Sequence, residues 1–193
     1  MNRWMRPAHQ TLAWSAFALL AAAAADGAPP SYTAEAAQSR LQFTGVQAGA
    51  EFKAVFHKFT AAIDFAPEDL GGSRFDVLID LASVDSEDSD RDSTIRGPDI
   101  FDLSHFPKAH YLTRGFTKTA SGYSAVGALT LRGVTKDVPI DFQFTANAAG
   151  AKLDGSASLK RLDFGAGQGD WKSTDQIKDE VKINFSLVLT PKH

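Results

Sequence analysis

Apolar and polar positions alternate with period two along most of the chain from Leu41 onward, which is the signature of strands with one face buried and one face wet. Leu41, Phe43 and Gly45 share one parity. Phe52, Ala54 and Phe56 follow, then Phe59, Ala61, Ile63 and Phe65. After a turn over Pro67 to Ser73, the residues Phe75, Val77, Ile79 and Leu81 alternate with Arg74, Asp76 and Asp80. A strand over Ala109 to Lys118 turns at Ser121-Gly122 and returns through Tyr123, Ala125, Gly127, Leu129 and Leu131, with Gly133 serving the next turn. Val138, Ile140, Phe142 and Phe144 form another set. A turn over Ala148 to Ala151 leads to Leu153, Gly155, Ala157 and Leu159, and Val181, Ile183, Phe185, Leu187 and Leu189 close the series.

One polar segment interrupts the strands. Asp85 to Gly97 is rich in Asp, Ser and Arg and ends in Gly97-Pro98, which reads as a short helix and turn, continued irregularly over Asp99 to Phe106. The fold class is therefore all-β: about eight antiparallel strands with a short helical insertion around 86–106. Periodicity alone leaves barrel and sandwich both open. Fourteen Phe against 3 Tyr and 3 Trp is a large apolar load for so little helix, and a ligand-holding barrel would use it.

The start of the chain has a different character. Arg3 and Arg6 precede an uncharged run rich in Leu, Phe and Ala, and Ala23 and Ala25 suit the small positions of a signal-peptidase site. Residues 1–25 are thus expected to be a cleaved secretory leader, with one domain over 26–193 exported to the periplasm. The chain has no cysteine, so neither disulfides nor thiolate chemistry can contribute. Of the 20 basic and 23 acidic residues, the leader removes Arg3 and Arg6 and no acid. The remaining surface is net acidic and repels nucleic acid.

Candidate chemistry is sparse. Asp88, Asp90, Asp92 and Asp99 imitate calcium-loop positions, but Ser93 stands where such a loop needs Gly, and Arg91 and Arg96 intrude. The alternative is a helix start at which carboxylates complement the dipole. Gly165, Gly167 and Gly169 could expose backbone N–H groups to an anion, yet no dinucleotide-type helix follows, and a structural loop before Trp171 is the plainer reading. His57, His105, His110 and His193 lack zinc-hydrolase spacing. No G-x-S-x-G elbow is present, and Ser124 lies in a strand pattern.

Two longer motifs carry a resemblance. Arg161-Leu162-Asp163-Phe164-Gly165-Ala166-Gly167-Gln168-Gly169-Asp170-Trp171 and Gly127-Ala128-Leu129-Thr130-Leu131-Arg132-Gly133-Val134-Thr135-Lys136 are similar to the glycine-loop and hairpin segments of the YceI-like family. Ser83-Val84-Asp85, Arg91-Asp92, Asp99-Ile100-Phe101-Asp102 and Phe106-Pro107 fall in that family's order. One departure is Gln38-Ser39, where many members carry His-Ser.

The resemblance implies an exported lipocalin-like barrel that binds the tail of a polyisoprenoid or quinone-like amphiphile as carrier or store, with no cofactor and no metal. Its expected partners are the lipid itself, a membrane cytochrome or quinone enzyme by family analogy, and a second copy of the chain as a homodimer. An enzyme acting on an amphiphile through Arg161, Asp163 or His57 is the rival expectation, and a barrel with a filled core is a third. The apolar site is expected to comprise Phe52, Phe56, Phe75, Ile79, Phe116 and Leu129, together with Phe142, Phe144, Phe164, Phe185 and, near the mouth, Trp171.

Overall fold

The structure, a computed structural model, describes residues 27–192. The expected leader lies outside the described residues. The strands are β1 (Ser31–Ala34), β2 (Arg40–Gln47), β3 (Ala50–Phe56), β4 (Phe59–Ala66), β5 (Asp69–Asp80), β6 (Val84–Asp85), β7 (Lys108–Thr119), β8 (Gly122–Leu131), β9 (Val134–Asn147), β10 (Gly150–Lys160) and β11 (Glu180–Pro191), with one helix, α1 (Ser89–Arg96). Every pairing is antiparallel. The order β1-β4-β5-β7-β8-β9-β10-β11 returns to β1 and closes an eight-stranded ring, which resolves the choice between barrel and sandwich. Closure leaves that ring without an unpaired edge.

β11 is shared between two partners. Its residues Lys182 to Ser186 pair with β2, while Leu189 to Pro191 pair with β1. From β2 the sheet continues to β3 and then to the two-residue β6. β1 carries no readable alternation in its four residues, and its place is set by neighbours on both sides: Tyr32 faces Ile63 on β4 and Pro191 on β11.

Local chemistry explains the turns. Arg132 and Gly133 connect β8 to β9 with φ of 50° and 74°, the left-handed pair that a two-residue hairpin matching strand twist requires. The Pro67 to Ser73 stretch is a shorter turn than its glycines imply. β5 already begins at Asp69, paired with Ala66, and the Asp69 carboxylate accepts from the Gly72 N–H at 3.0 Å. Gly71 and Gly72 therefore lie in a strand.

α1 starts at the Asp88 cap, whose carboxylate accepts from the N–H groups of Asp90 at 3.1 Å and Arg91 at 3.0 Å. Asp92 turns back to accept from the Ser86 N–H at 2.9 Å. These carboxylates serve the backbone, and no metal-binding group of three or more His, Cys, Asp or Glu side chains occurs among the described residues. The buried Ile95 and Ile100, with Phe101 packed on Phe56 at 6.2 Å between ring centroids, fix the insertion across one end of the barrel.

Candidate functional site

The inward side chains divide along the strand direction. On β11, Leu187 and Leu189 are buried, whereas Phe185, Ile183 and Val181 are only half-buried although they share the same parity. β10 repeats the gradient: Ala151 and Leu153 are buried, and Ala157 is more open. Side chains that point inward and yet remain accessible border a hollow. This one has a volume of about 520 Å³, within the roughly 300–1,000 Å³ span of small-molecule sites. It is deepest near Phe75 and Leu153 and opens toward the Leu159 and Val181 end.

The closed end is an aromatic plug. Phe65, 1% exposed, has the rings of Phe144 at 4.8 Å, Tyr123 at 5.0 Å and Phe142 at 5.4 Å around it. Phe116 sits 5.7 Å from Phe65 and 4.9 Å from Phe75. Most of these contacts are edge-on or tilted, the arrangement the ring quadrupole favours.

Seven of the eleven residues expected at the site line the cavity: Phe52, Phe56, Phe75 and Ile79, with Leu129, Trp171 and Phe185. Four do not. Phe116, Phe142 and Phe144 belong to the plug, because parity decides which face a side chain takes and not how far along the barrel it lies. Phe164 is buried on the far side of the wall, bordering a small outer hollow beside Val138 and Leu159. It lies in a short 3-10 turn, Arg161–Phe164, where strand alternation has ended.

Other cavity residues escaped sequence reasoning. Ile183 and Val181 share parity with Phe185 and could have been added on that signal. Ile95, Ile100 and Phe101 come from the irregular insertion, where no period exists to read.

The mouth is shaped by the loop between β10 and β11, and Arg161 holds that loop. Its Nε donates to Lys178 O at 3.1 Å, Nη1 to Ala166 O at 2.9 Å and Trp171 O at 2.7 Å, and Nη2 to Ser173 O at 3.2 Å and Ile177 O at 3.0 Å. A guanidinium has five N–H groups, and all five are used. Burial lowers the Arg161 pKa, opposed by the nearby Asp179 carboxylate. Gly167 has φ of 141°, and a Cβ there would run into Arg161 Nη1 and would meet Trp171 O at 2.8 Å and Leu162 Cδ2 at 2.9 Å. The glycine run is thus a structural loop wrapped around one cation. It is joined to the β2–β3 hairpin by the Ala48 N–H to Gln176 O bond at 2.8 Å and the Lys178 N–H to Val46 O bond at 2.9 Å.

Across the mouth, Arg91 lies over the Phe52 ring, 4.7 Å from its centroid, and 3.4 Å from the Asp88 carboxylate. The backbone N–H of Arg91, then its charge, holds the Asp88 carboxyl below the ordinary carboxylate range. Tyr111, inside the barrel, donates from its hydroxyl to Val138 O at 3.0 Å, and burial pushes its phenol pKa up.

The remaining polar candidates stand outside the cavity lining. His57 pairs with Asp85 at 3.1 Å, His110 with Asp76 at 2.7 Å and His105 with Asp102 at 3.0 Å. Asp163 lies 3.9 Å from Lys136 on the outer surface.

Known proteins share this architecture. The BcnA crystal structure from Burkholderia cenocepacia superposes with a TM-score of 0.76 at 30% identity, covering 80% of this chain and 98% of that one. A YCEI protein of Campylobacter jejuni gives 0.65 at 27% identity, covering 75% and 86%. A polyisoprenoid binding domain from Saccharophagus degradans gives 0.65 at 18% identity, covering 83% and 98%, a likeness of fold alone. A UPF0312 protein of Yersinia pestis is 30% identical over 113 residues, which span 54% of this chain and 59% of that protein's length. The YceI-like domain matches residues 32–189, nearly the whole described barrel, and the chain belongs to that family.

Proposed function

We propose that the chain is an exported lipid-binding protein that holds the apolar tail of a polyisoprenoid or quinone-like amphiphile in its barrel, as carrier or store. The observation that carries this reading is the hollow interior, where Val181, Ile183 and Phe185 point inward and stay half-accessible. About ten methylenes taken from water would contribute roughly 8 kcal/mol, enough to offset much of the several kcal/mol lost on association.

Two further features support it. The polyisoprenoid binding domain of Saccharophagus degradans shares the fold. The side chains lining the cavity away from its mouth are apolar, with Tyr111 as an exception that is already hydrogen-bonded to Val138 O. The protein holds its ligand without covalent chemistry, works in the periplasm after loss of the leader over 1–25, and exchanges lipid with a membrane cytochrome or quinone enzyme.

The test is mass spectrometry of an organic extract from natively purified mature protein. A long-chain amphiphile recovered near one per chain supports the proposal. An empty extract, together with no uptake of an added polyprenyl probe, overturns it.

A further inference from the structure

The cavity floor and the aromatic plug behind it meet at one side chain. The floor is built from two cross-strand pairs, Ile63 with Phe75 on β4 and β5 and Leu153 with Leu187 on β10 and β11. All four line the hollow, and none is more than 5% exposed. Among the described residues, Phe75 is the one aromatic side chain that both lines the hollow and touches rings of the plug. Its ring lies 4.9 Å from Phe116, 5.1 Å from Phe142 and 5.8 Å from Phe65, centroid to centroid.

Phe75 is also fixed in place. The ladder between β5 and β7 ends at Asp76 and Leu112, and the Thr113 side chain takes over at the next residue. Its hydroxyl accepts from the Phe75 N–H at 2.8 Å and donates to Phe75 O at 3.4 Å. Edge-on contacts with Phe116 and Phe142 back the ring, and Phe65 and Phe142 are themselves buried. A close-packed interior of this kind resists insertion of extra carbons.

We propose that Phe75 is the stop that sets how long a tail the barrel accepts. A tail runs in from the mouth until its terminal methyl meets the Phe75 ring, and carbons beyond that length stay outside the mouth. The selection acts at the floor and so applies whatever head group the tail carries. It rests on the cavity reading above.

The experiment titrates a chain expressed from residue 26 onward with a series of n-alkyl maltosides, each below its micelle-forming concentration, and follows Trp171 emission. In the wild type, affinity rises with each added carbon and then levels off. Phe75→Ala leaves an apolar void that holds roughly two to three chain carbons, so its plateau should begin that much later. The longest tails should then bind this variant at least about ten-fold more tightly than the wild type. Phe75→Leu, a milder truncation that keeps a foldable core, should shift the plateau in the same direction by less. Phe142→Ala removes a ring behind the floor and should keep the wild-type plateau. A plateau that stays at the wild-type length in whichever Phe75 variant folds, or that moves as far in Phe142→Ala, would overturn the assignment while the cavity reading stands. Wild-type affinity that is independent of tail length would remove the cavity reading and this assignment with it.

Discussion

Arg161 Nη1 donates to the carbonyl of Trp171 across 2.7 Å, so the only tryptophan among the described residues is held at the cavity mouth by a buried cation. The same guanidinium collects four other carbonyls from Ala166, Ser173, Ile177 and Lys178. The R-x-D-F-G-x-G-x-G-x-W segment therefore acts as a clamp that shapes the opening.

Replacing Arg161 with Met would leave five carbonyls without their donor. The loop can expose some of them to water, so the expected loss is about 2–4 kcal/mol of stability rather than the full sum. Urea denaturation checks this, and blue-to-red movement of the Trp171 emission reports loosening of the mouth at denaturant levels where the barrel stays folded.

Gly167 faces the same clamp. Gly167→Ala combines a disfavoured φ of 141° with a Cβ that collides with the Arg161 guanidinium and lies 2.8 Å from Trp171 O, and a loss of about 1–3 kcal/mol is expected. Gly115→Ala, where an added Cβ meets nothing within 4 Å, should change stability by less than about 0.5 kcal/mol. Because Gly167 and Arg161 share one contact, their double variant should lose less than the two single losses combined.

Tyr111 gives the fold an alkaline limit. Its phenol pKa is raised above the ordinary 10.0 by burial and, to a smaller extent, by Asp137. The native state keeps the proton where the unfolded chain gives it up. This contribution is intact below pH 10 and is lost as pH rises through the folded value. Tyr111→Phe should cost about 1 kcal/mol at pH 7 through the lost bond to Val138 O, and its stability should fall less steeply above pH 10. Denaturant midpoints at pH 7, 10 and 11 check both parts.

The plug and the cavity separate by mutation. Phe142→Ala removes a ring from the closed end and should cost about 3–5 kcal/mol of stability, while the folded fraction still binds probe. Ala157→Phe places a ring in the hollow opposite Ile140 and Ile183. It should keep stability within about 1.5 kcal/mol and reduce probe affinity at least several-fold. Reversal of these two profiles would exchange the roles of plug and cavity.

Strand faces were legible in the sequence because a side chain's face follows its parity, and β2 to β5 and β8 to β11 all follow that rule. Depth along the barrel was not legible. Phe142 and Phe185 both point inward, yet one packs into the plug and the other borders the cavity, because strand tilt and register set height and neither is written in one strand's own residues. β1 was missed for a related reason: its four residues carry no pattern, and partners more than 25 residues away define it. The Arg161 segment was visible as a motif, but its meaning depends on five carbonyls brought together by folding.

The most direct measurement is affinity against tail length. A chain expressed from residue 26 onward, in which Trp171 is the only indole, is titrated by its own emission with amphiphiles that share one head group and differ by single methylenes. A tail held in the hollow should bind about four-fold more tightly per added methylene, equivalent to about 0.8 kcal/mol, until the hollow is filled and the gain levels off. Affinity that does not change with tail length, or no binding at any length, would contradict a tail held inside the barrel.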